Sequence, residues 1–178
     1  MTSEKIKVGI FTGGYSAERS VALQSAAFIE RHLDADRFEW YTIDVQRDRW
    51  TCGEDGYFDL NAGALVWSDR QVKLDVAYVM IHGAPAEDGL LQGYLDMIQL
   101  PYTCCSVFSS ALTFDKQATK KFLEGVVPMA SSRCLHANEA LTVEERSALS
   151  YPVFVKPNKQ GSSFGISKVK TDKDLDAA

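Results

Sequence analysis

The chain has 178 residues, of which 46% are hydrophobic and 24% charged, and its 19 basic against 24 acidic residues leave a net charge of −5. This is the composition of a soluble globular protein with one domain or one and a fraction, and it excludes disorder, collagen and coiled coil. No apolar run approaches the ~20 residues of a membrane span, the first residues are too short an apolar run for a signal peptide, and the acidic balance argues against general nucleic-acid binding.

Lys5 to Thr12 is a short apolar run delivered into Gly13-Gly14, the pattern of a buried strand entering a tight turn. Ser16 is the expected N-cap of the next helix, whose stripe is Ala22, Ala26, Ile29 and Leu33. Phe38 to Val45, aromatic and branched, reads as a second strand, and strand–helix–strand predicts a parallel βαβ unit. Between residues 47 and 73 only turns with a strand or hairpin are legible. Asp75 to Ile81 is an apolar strand ending in His82-Gly83, after which Asp88 or Gly89 opens a helix with stripe Leu91, Tyr94, Leu95 and Ile98. Pro101 to Cys105 is expected as a further strand, and one helix is expected from Ser109 to Leu123, stopped by Gly125 and Pro128.

The pattern then changes. A short helix over Leu141 to Leu149 precedes a strand, Tyr151 to Val155, a small-residue turn, Gln160 to Gly165, and a strand, Ile166 to Val169. Thr171 to Asp174 resembles a capping box with Asp in place of Glu. About one turn follows, so the sequence is expected to stop inside an element, as a portion of a longer protein would. Cys52, Cys104, Cys105 and Cys134 form no C-x-x-C pair and no metal-like spacing with the three histidines, which predicts reduced thiols in a cytoplasmic protein.

Four segments offer chemistry at strand ends, where open α/β sheets place ligands. In Gly13 to Arg19, Glu18 either complements a helix dipole or holds a carboxylate ready for an ammonium group. In His82 to Gly89 the histidine follows a buried strand directly, although an acidic-capped turn explains the segment equally well. Lys116 sits away from its helix stripe and reads by itself as a solvated lysine. Lys156 emerges from an apolar strand and needs an anion or solvent. The loop Gly161-Ser162-Ser163-Phe164-Gly165 after it offers backbone N–H groups and hydroxyls suited to phosphate oxygens, without the order of a P-loop.

Taken together, G-G-Y-S-A-E-R-S from Gly13, H-G-A-P-A-E-D-G from His82, L-P-Y-T from Leu100, S-A-L-T-F-D-K from Ser110 and Y-P-V-F-V-K-P-N-K-Q-G-S-S-F-G from Tyr151 resemble the D-alanine–D-alanine ligases of the ATP-grasp superfamily. The resemblance spans nearly the whole chain, except residues 46 to 73. It implies an α/β fold: a Rossmann-like parallel-sheet N-terminal domain over residues 1–104, then a linker helix and the start of an ATP-grasp α+β domain over 105–178. It implies that Glu18 and His82 meet the first D-alanine, and that Ser162 links Glu18 to a residue beyond position 178. Lys116 and Lys156 would contact ATP phosphates, Ser163 would belong to the closing loop, and Glu87 would shape the site from outside. One departure is local, since His82-Gly-Ala-Pro-Ala replaces a segment commonly richer in glycine.

The implied reaction joins two D-alanines at the expense of ATP, through an acyl phosphate, for peptidoglycan precursor synthesis. Magnesium would assist, with its ligands and much of the adenine pocket beyond residue 178, so residues 1–178 alone are expected to be inactive. The implied protein is a cytoplasmic homodimer that binds neither nucleic acid nor membrane. A D-alanyl-D-lactate or D-alanyl-D-serine ligase, or a non-catalytic Rossmann-like binding module, stand as alternatives.

Overall fold

The computed structural model describes residues 4–178, which divide into two compact units, the first running to Thr113 and the second Phe114–Ala178. In the first, a seven-stranded sheet has the order β6-β5-β4-β3-β2-β1-β7. Its central strand β1 (Ile6–Gly13) pairs in parallel with β2 (Phe38–Val45) on one side and β7 (Val76–Val79) on the other. The expected βαβ unit is therefore present, with helix α1 (Arg19–Glu30) as the crossover. Beyond β2 the sheet turns antiparallel through β3 (Trp50–Cys52), β4 (Gly56–Asp59), β5 (Ala64–Val66) and β6 (Gln71–Val72). The parallel sheet expected from the sequence is thus one part of a mixed sheet. The segment 47–73, read only as turns around a strand or hairpin, is a four-stranded meander.

Alternation along β1 sorts its side chains between two faces. Val8 and Ile10 join Ala26 in one buried cluster, with Ile29, Leu33 and Met80 packed around it. Phe11 joins Ile43, Leu65, Leu91 and Leu95 in the other, so α1 covers one face and α2 (Leu90–Met97) the other. The meander is fastened to the second face by aromatic rings. Phe11 meets Trp50 and Phe58 edge-on with centroids 5.9 and 5.4 Å apart, and Tyr94 of α2 meets Trp50 at 5.4 Å. The Tyr94 hydroxyl donates to the Leu60 carbonyl at 2.8 Å; burial, with Asp59 nearby, pushes this phenol up to about 12. The strand expected over Pro101 to Cys105 shrinks to a single parallel bridge between Ala77 and Tyr102.

The single helix expected from Ser109 to Leu123 is two, α3 (Val107–Phe114) and α4 (Lys116–Phe122). The break is Asp115, whose extended backbone and side chain cap α4 by accepting from the Ala118 N–H at 2.8 Å. The second unit also holds α5 (Val143–Ser147) and the antiparallel pair β8 (Val153–Val155) and β9 (Ser167–Val169). The capping box expected at Thr171 does not form. Thr171 donates to the Asp174 carboxylate instead, and a 3₁₀ helix, Asp172–Ala177, follows. A reciprocal capping box stands at Thr142 and Glu145. Beyond it Arg146 ties α5 to Asp172 and Asp176 at 2.6 and 2.7 Å.

Leu65 is 0% exposed and Leu60 47%. Leu65→Ala should cost about 2–5 kcal/mol through a core cavity, and Leu60→Ala less than about 0.5 kcal/mol. Equal shifts of the two urea midpoints would contradict this packing.

The Ala118 N–H and then the Asn158 amide, with Lys159 nearby, hold the Asp115 carboxyl below its ordinary value of 3.8. A depressed carboxyl adds stability that is present above its unfolded-state value and lost as the pH falls through its folded-state value. Asp172 and Glu139 are lowered too, so the second unit should weaken below about pH 4. Asp115→Ala should cost about 1 kcal/mol at neutral pH and flatten part of that acid slope. An unchanged slope in a pH series of unfolding curves would remove Asp115 from the account.

Candidate functional site

In the first unit two strand ends meet. Because β1 and β7 are parallel neighbours, the turns that leave them open on the same edge of the sheet. The β1 turn bends at Gly13 and Gly14, with φ of 83° and 78°. A Cβ on Gly13 would sit 2.2 Å from the Asp44 carboxylate and 2.5 Å from the Arg19 guanidinium, and the positive φ makes any side chain there strained. Arg19 locks the turn by donating to the Gly14 carbonyl at 3.1 Å and pairing with Asp44, at the end of β2, at 2.6 Å. That Asp44 hydrogen bond raises the guanidinium further above its ordinary range.

Ser16 is not the N-cap expected of it. Glu18 occupies that position, without a side-chain cap. The Ser16 hydroxyl instead donates to the His82 carbonyl at 2.7 Å and accepts the Glu18 N–H at 3.1 Å. One hydroxyl thus joins the turn after β1 to the turn after β7. Glu18 is 6% exposed, and its Oε2 lies 3.3 Å from where a Cβ on Gly83 would be. Gly83, with φ of 73°, would also press a Cβ to within 2.7 Å of Ser16. The structure therefore brings the Glu18 carboxylate alongside the residue that follows His82. The half-buried His82 ring places Nε2 3.5 Å from the Ser25 hydroxyl on α1. Glu87 is exposed, its N–H donating to the Gly83 carbonyl at 2.9 Å.

A buried carboxylate and a half-buried imidazole carried by the turns after two parallel strands suit a small ligand with a cationic group. Tyr15 adds a phenol to the same turn. Burial and Asp88 push it up, against the Arg47 guanidinium 4.1 Å over its ring.

In the second unit the loop leaving β8 is tied to the start of α4. Asn158 is the hub, and nothing in the sequence marked it. Its amide donates to Asp115 at 2.8 Å, and its side-chain oxygen accepts the Gln117 N–H at 2.8 Å. Lys116 is half-buried rather than solvated, with Nζ 2.7 Å from the Gln160 carbonyl and 3.4 Å from that of Asn158. Lys156 stands exposed just after β8, with no hydrogen bond or ion pair among the described residues. Past it, Ser162 and Ser163 both take left-handed backbones, φ 45° and 62°, before Gly165 at 69°. Such backbones cost side-chain-bearing residues about 1–3 kcal/mol each. Both serines are exposed. Two lysines and two hydroxyls around one strained loop are suited to holding an oxyanion.

A family model described as "D-ala D-ala ligase C-terminus" matches residues 125–178. A D-alanine–D-alanine ligase of Azobacteroides pseudotrichonymphae is 40% identical over 169 residues, which are 91% of this chain and 52% of that protein. The solved D-alanine–D-alanine ligase of Coxiella burnetii superposes with a TM-score of 0.84 at 28% identity, covering 98% of this chain and 57% of that one. The Bacillus anthracis D-alanine–D-alanine ligase solved in complex with ATP gives 0.76 at 26% identity, with 97% and 53% covered. The chain spans about half the length of the curated relatives it matches. With that likeness running through nearly all of its residues, the chain belongs to the D-alanine–D-alanine ligase family.

Proposed function

We propose that this chain serves the ATP-dependent joining of two D-alanines into D-alanyl-D-alanine, as a peptidoglycan precursor. The observation that carries the reading is the 40% identity over 91% of the chain. The Ser16 bridge that holds Glu18 beside Gly83 supports it. In this reading the first unit is Rossmann-like and receives the first D-alanine. Glu18 attracts its ammonium group by opposite charge, and His82 borders it. Ser162 contributes to the same chemistry from the ATP-grasp part.

Lys116, Lys156 and Ser163 are assigned to the phosphates of ATP, because ammonium groups and a hydroxyl suit phosphate oxygens; a Bacillus anthracis relative was solved in complex with ATP. The D-alanine carboxylate attacks the γ-phosphorus, ADP leaves, and an acyl phosphate forms. The amine of a second D-alanine then displaces inorganic phosphate from the acyl carbon and gives up a proton. Lysine charge offsets the negative charge spread over the transferred group. Magnesium is implied by the family. No group of three or more His, Cys, Asp or Glu among the described residues is placed to hold a metal ion. The reading extends to a homodimer in the cytoplasm. Among the described residues no helix is long and apolar enough to cross a membrane.

The test is ADP release by the protein as its gene encodes it, with and without D-alanine. ADP formation indifferent to D-alanine would overturn the reading. Glu18→Gln should lower kcat/KM for D-alanine about tenfold to a hundredfold, from ~1.5–3 kcal/mol for a hydrogen bond to a charged group, with the KM for ATP unchanged. Lys156→Met should do the reverse, raising the KM for ATP and sparing that for D-alanine. The opposite split would exchange the two assignments.

A further inference from the structure

Between the Tyr102 bridge and α3 the first unit carries two thiols on consecutive residues, Cys104 and Cys105, both free and both exposed. Consecutive Cα atoms lie about 3.8 Å apart, short of the ~4.4–6.8 Å that an unstrained disulfide spans. A direct bond between these sulfurs is therefore disfavoured. Thiols on consecutive residues can instead be bridged by one large soft atom, the kind of atom thiolates prefer.

The pair is also held from below. The Nε2 of Gln92, 1% exposed, has the Ala86 carbonyl at 2.6 Å, the Ser110 hydroxyl at 3.2 Å and the Cys104 sulfur at 3.4 Å around its two N–H donors. Its Oε1 is buried without a hydrogen-bond partner. Ser110, 6% exposed, reaches the Cys105 carbonyl at 3.3 Å. One buried amide and one buried hydroxyl thus fix the Cys104 sulfur and the Cys105 main chain together. Partial burial pushes the Cys104 thiol up, and the Gln92 amide pulls it back. Neither cysteine has a part in the proposed ligase chemistry. Cys52 is buried, and Cys134 belongs to the other unit.

We infer that Cys104 and Cys105 form a dithiol site for a trivalent arsenical that carries one non-displaceable substituent. With an aryl arsenoxide, two As–S bonds form and the arsenic–oxygen bond breaks. The oxygen departs as water with both thiol protons, and arsenic stays trivalent, so no oxidant or reductant is needed. Chelation by two thiols on one chain holds the arsenic about a hundredfold or more tightly than one thiol does.

The probe is one equivalent of phenylarsine oxide on the 178-residue chain, read by intact mass. One adduct per chain should survive excess monothiol and be stripped by a dithiol. Cys104→Ser and Cys105→Ser should each lose the surviving adduct, whereas Cys52→Ser and Cys134→Ser keep it. An adduct that persists in Cys104→Ser or Cys105→Ser, or one that monothiol removes from the parent, would overturn the site. Where a serine variant fails to fold, the folded parent is first blocked with N-ethylmaleimide at Cys104 and Cys105, confirmed by peptide mapping. Blocking must abolish the retained adduct, and retention after it would equally refute the inference.

Discussion

The first unit depends on the parallel pairing of β1 with both of its neighbours. Parallel strands cannot be joined by a tight hairpin, so each must leave the sheet at the same edge and return over a face. That constraint puts Gly13-Gly14 and His82-Gly83 side by side, and it buries β1 between α1 and α2. Two ends emerging together carry backbone polar groups that need partners. Ser16 supplies one of them, using its proton on His82 and its lone pair on Glu18. The placement of Glu18 is thus a by-product of satisfying the backbone, as is the requirement for glycine at position 83, where a Cβ would collide with Ser16.

The second unit reaches a similar result without a parallel sheet. Here β8 and β9 are a short antiparallel pair, and the connection between them is long enough to wander. Asp115 and Asn158 restrain it. Asp115 must break the helix in order to cap α4, and the same carboxylate receives the Asn158 amide. Fastening the loop there brings the Gln160 carbonyl onto Lys116. The left-handed Ser162 and Ser163 then sit in a loop whose entrance is fixed, which is the condition under which a strained backbone persists.

What could be read from the sequence follows from this. β1, α1, β7 and α2 were legible because each buries a face with a regular period, Val8 and Ile10 against Ala26, Phe11 against Leu91 and Leu95. The meander was not. Its strands are two to four residues long, too short to show alternation, and its stability comes from Trp50 and Phe58 meeting Phe11 and Tyr94 across the fold. The helix break at Asp115 escaped notice because Ala111, Phe114, Ala118 and Phe122 keep one helical spacing through it. Of the candidate residues, the places of His82 and Lys156 were legible from position alone, as polar groups just after apolar strands. The bridging roles of Ser16, Asn158 and Gln92 were not legible, since they are hydrogen bonds to residues 66, 43 and 18 positions away.

This division separates two kinds of information. Position at a strand end is a local property, and a sequence displays it. Orientation is set by which distant donor meets which acceptor, and short polar residues do that work without a pattern of their own. A Ser16→Ala change would leave every sequence motif but G-G-Y-S intact and every strand in place. It would nonetheless release the Glu18 N–H and the His82 carbonyl together, because one hydroxyl serves both. The identity of the strand-end residues therefore specifies what chemistry is available. The half-buried Ser16 and Asn158 specify whether those residues are held where the chemistry can occur.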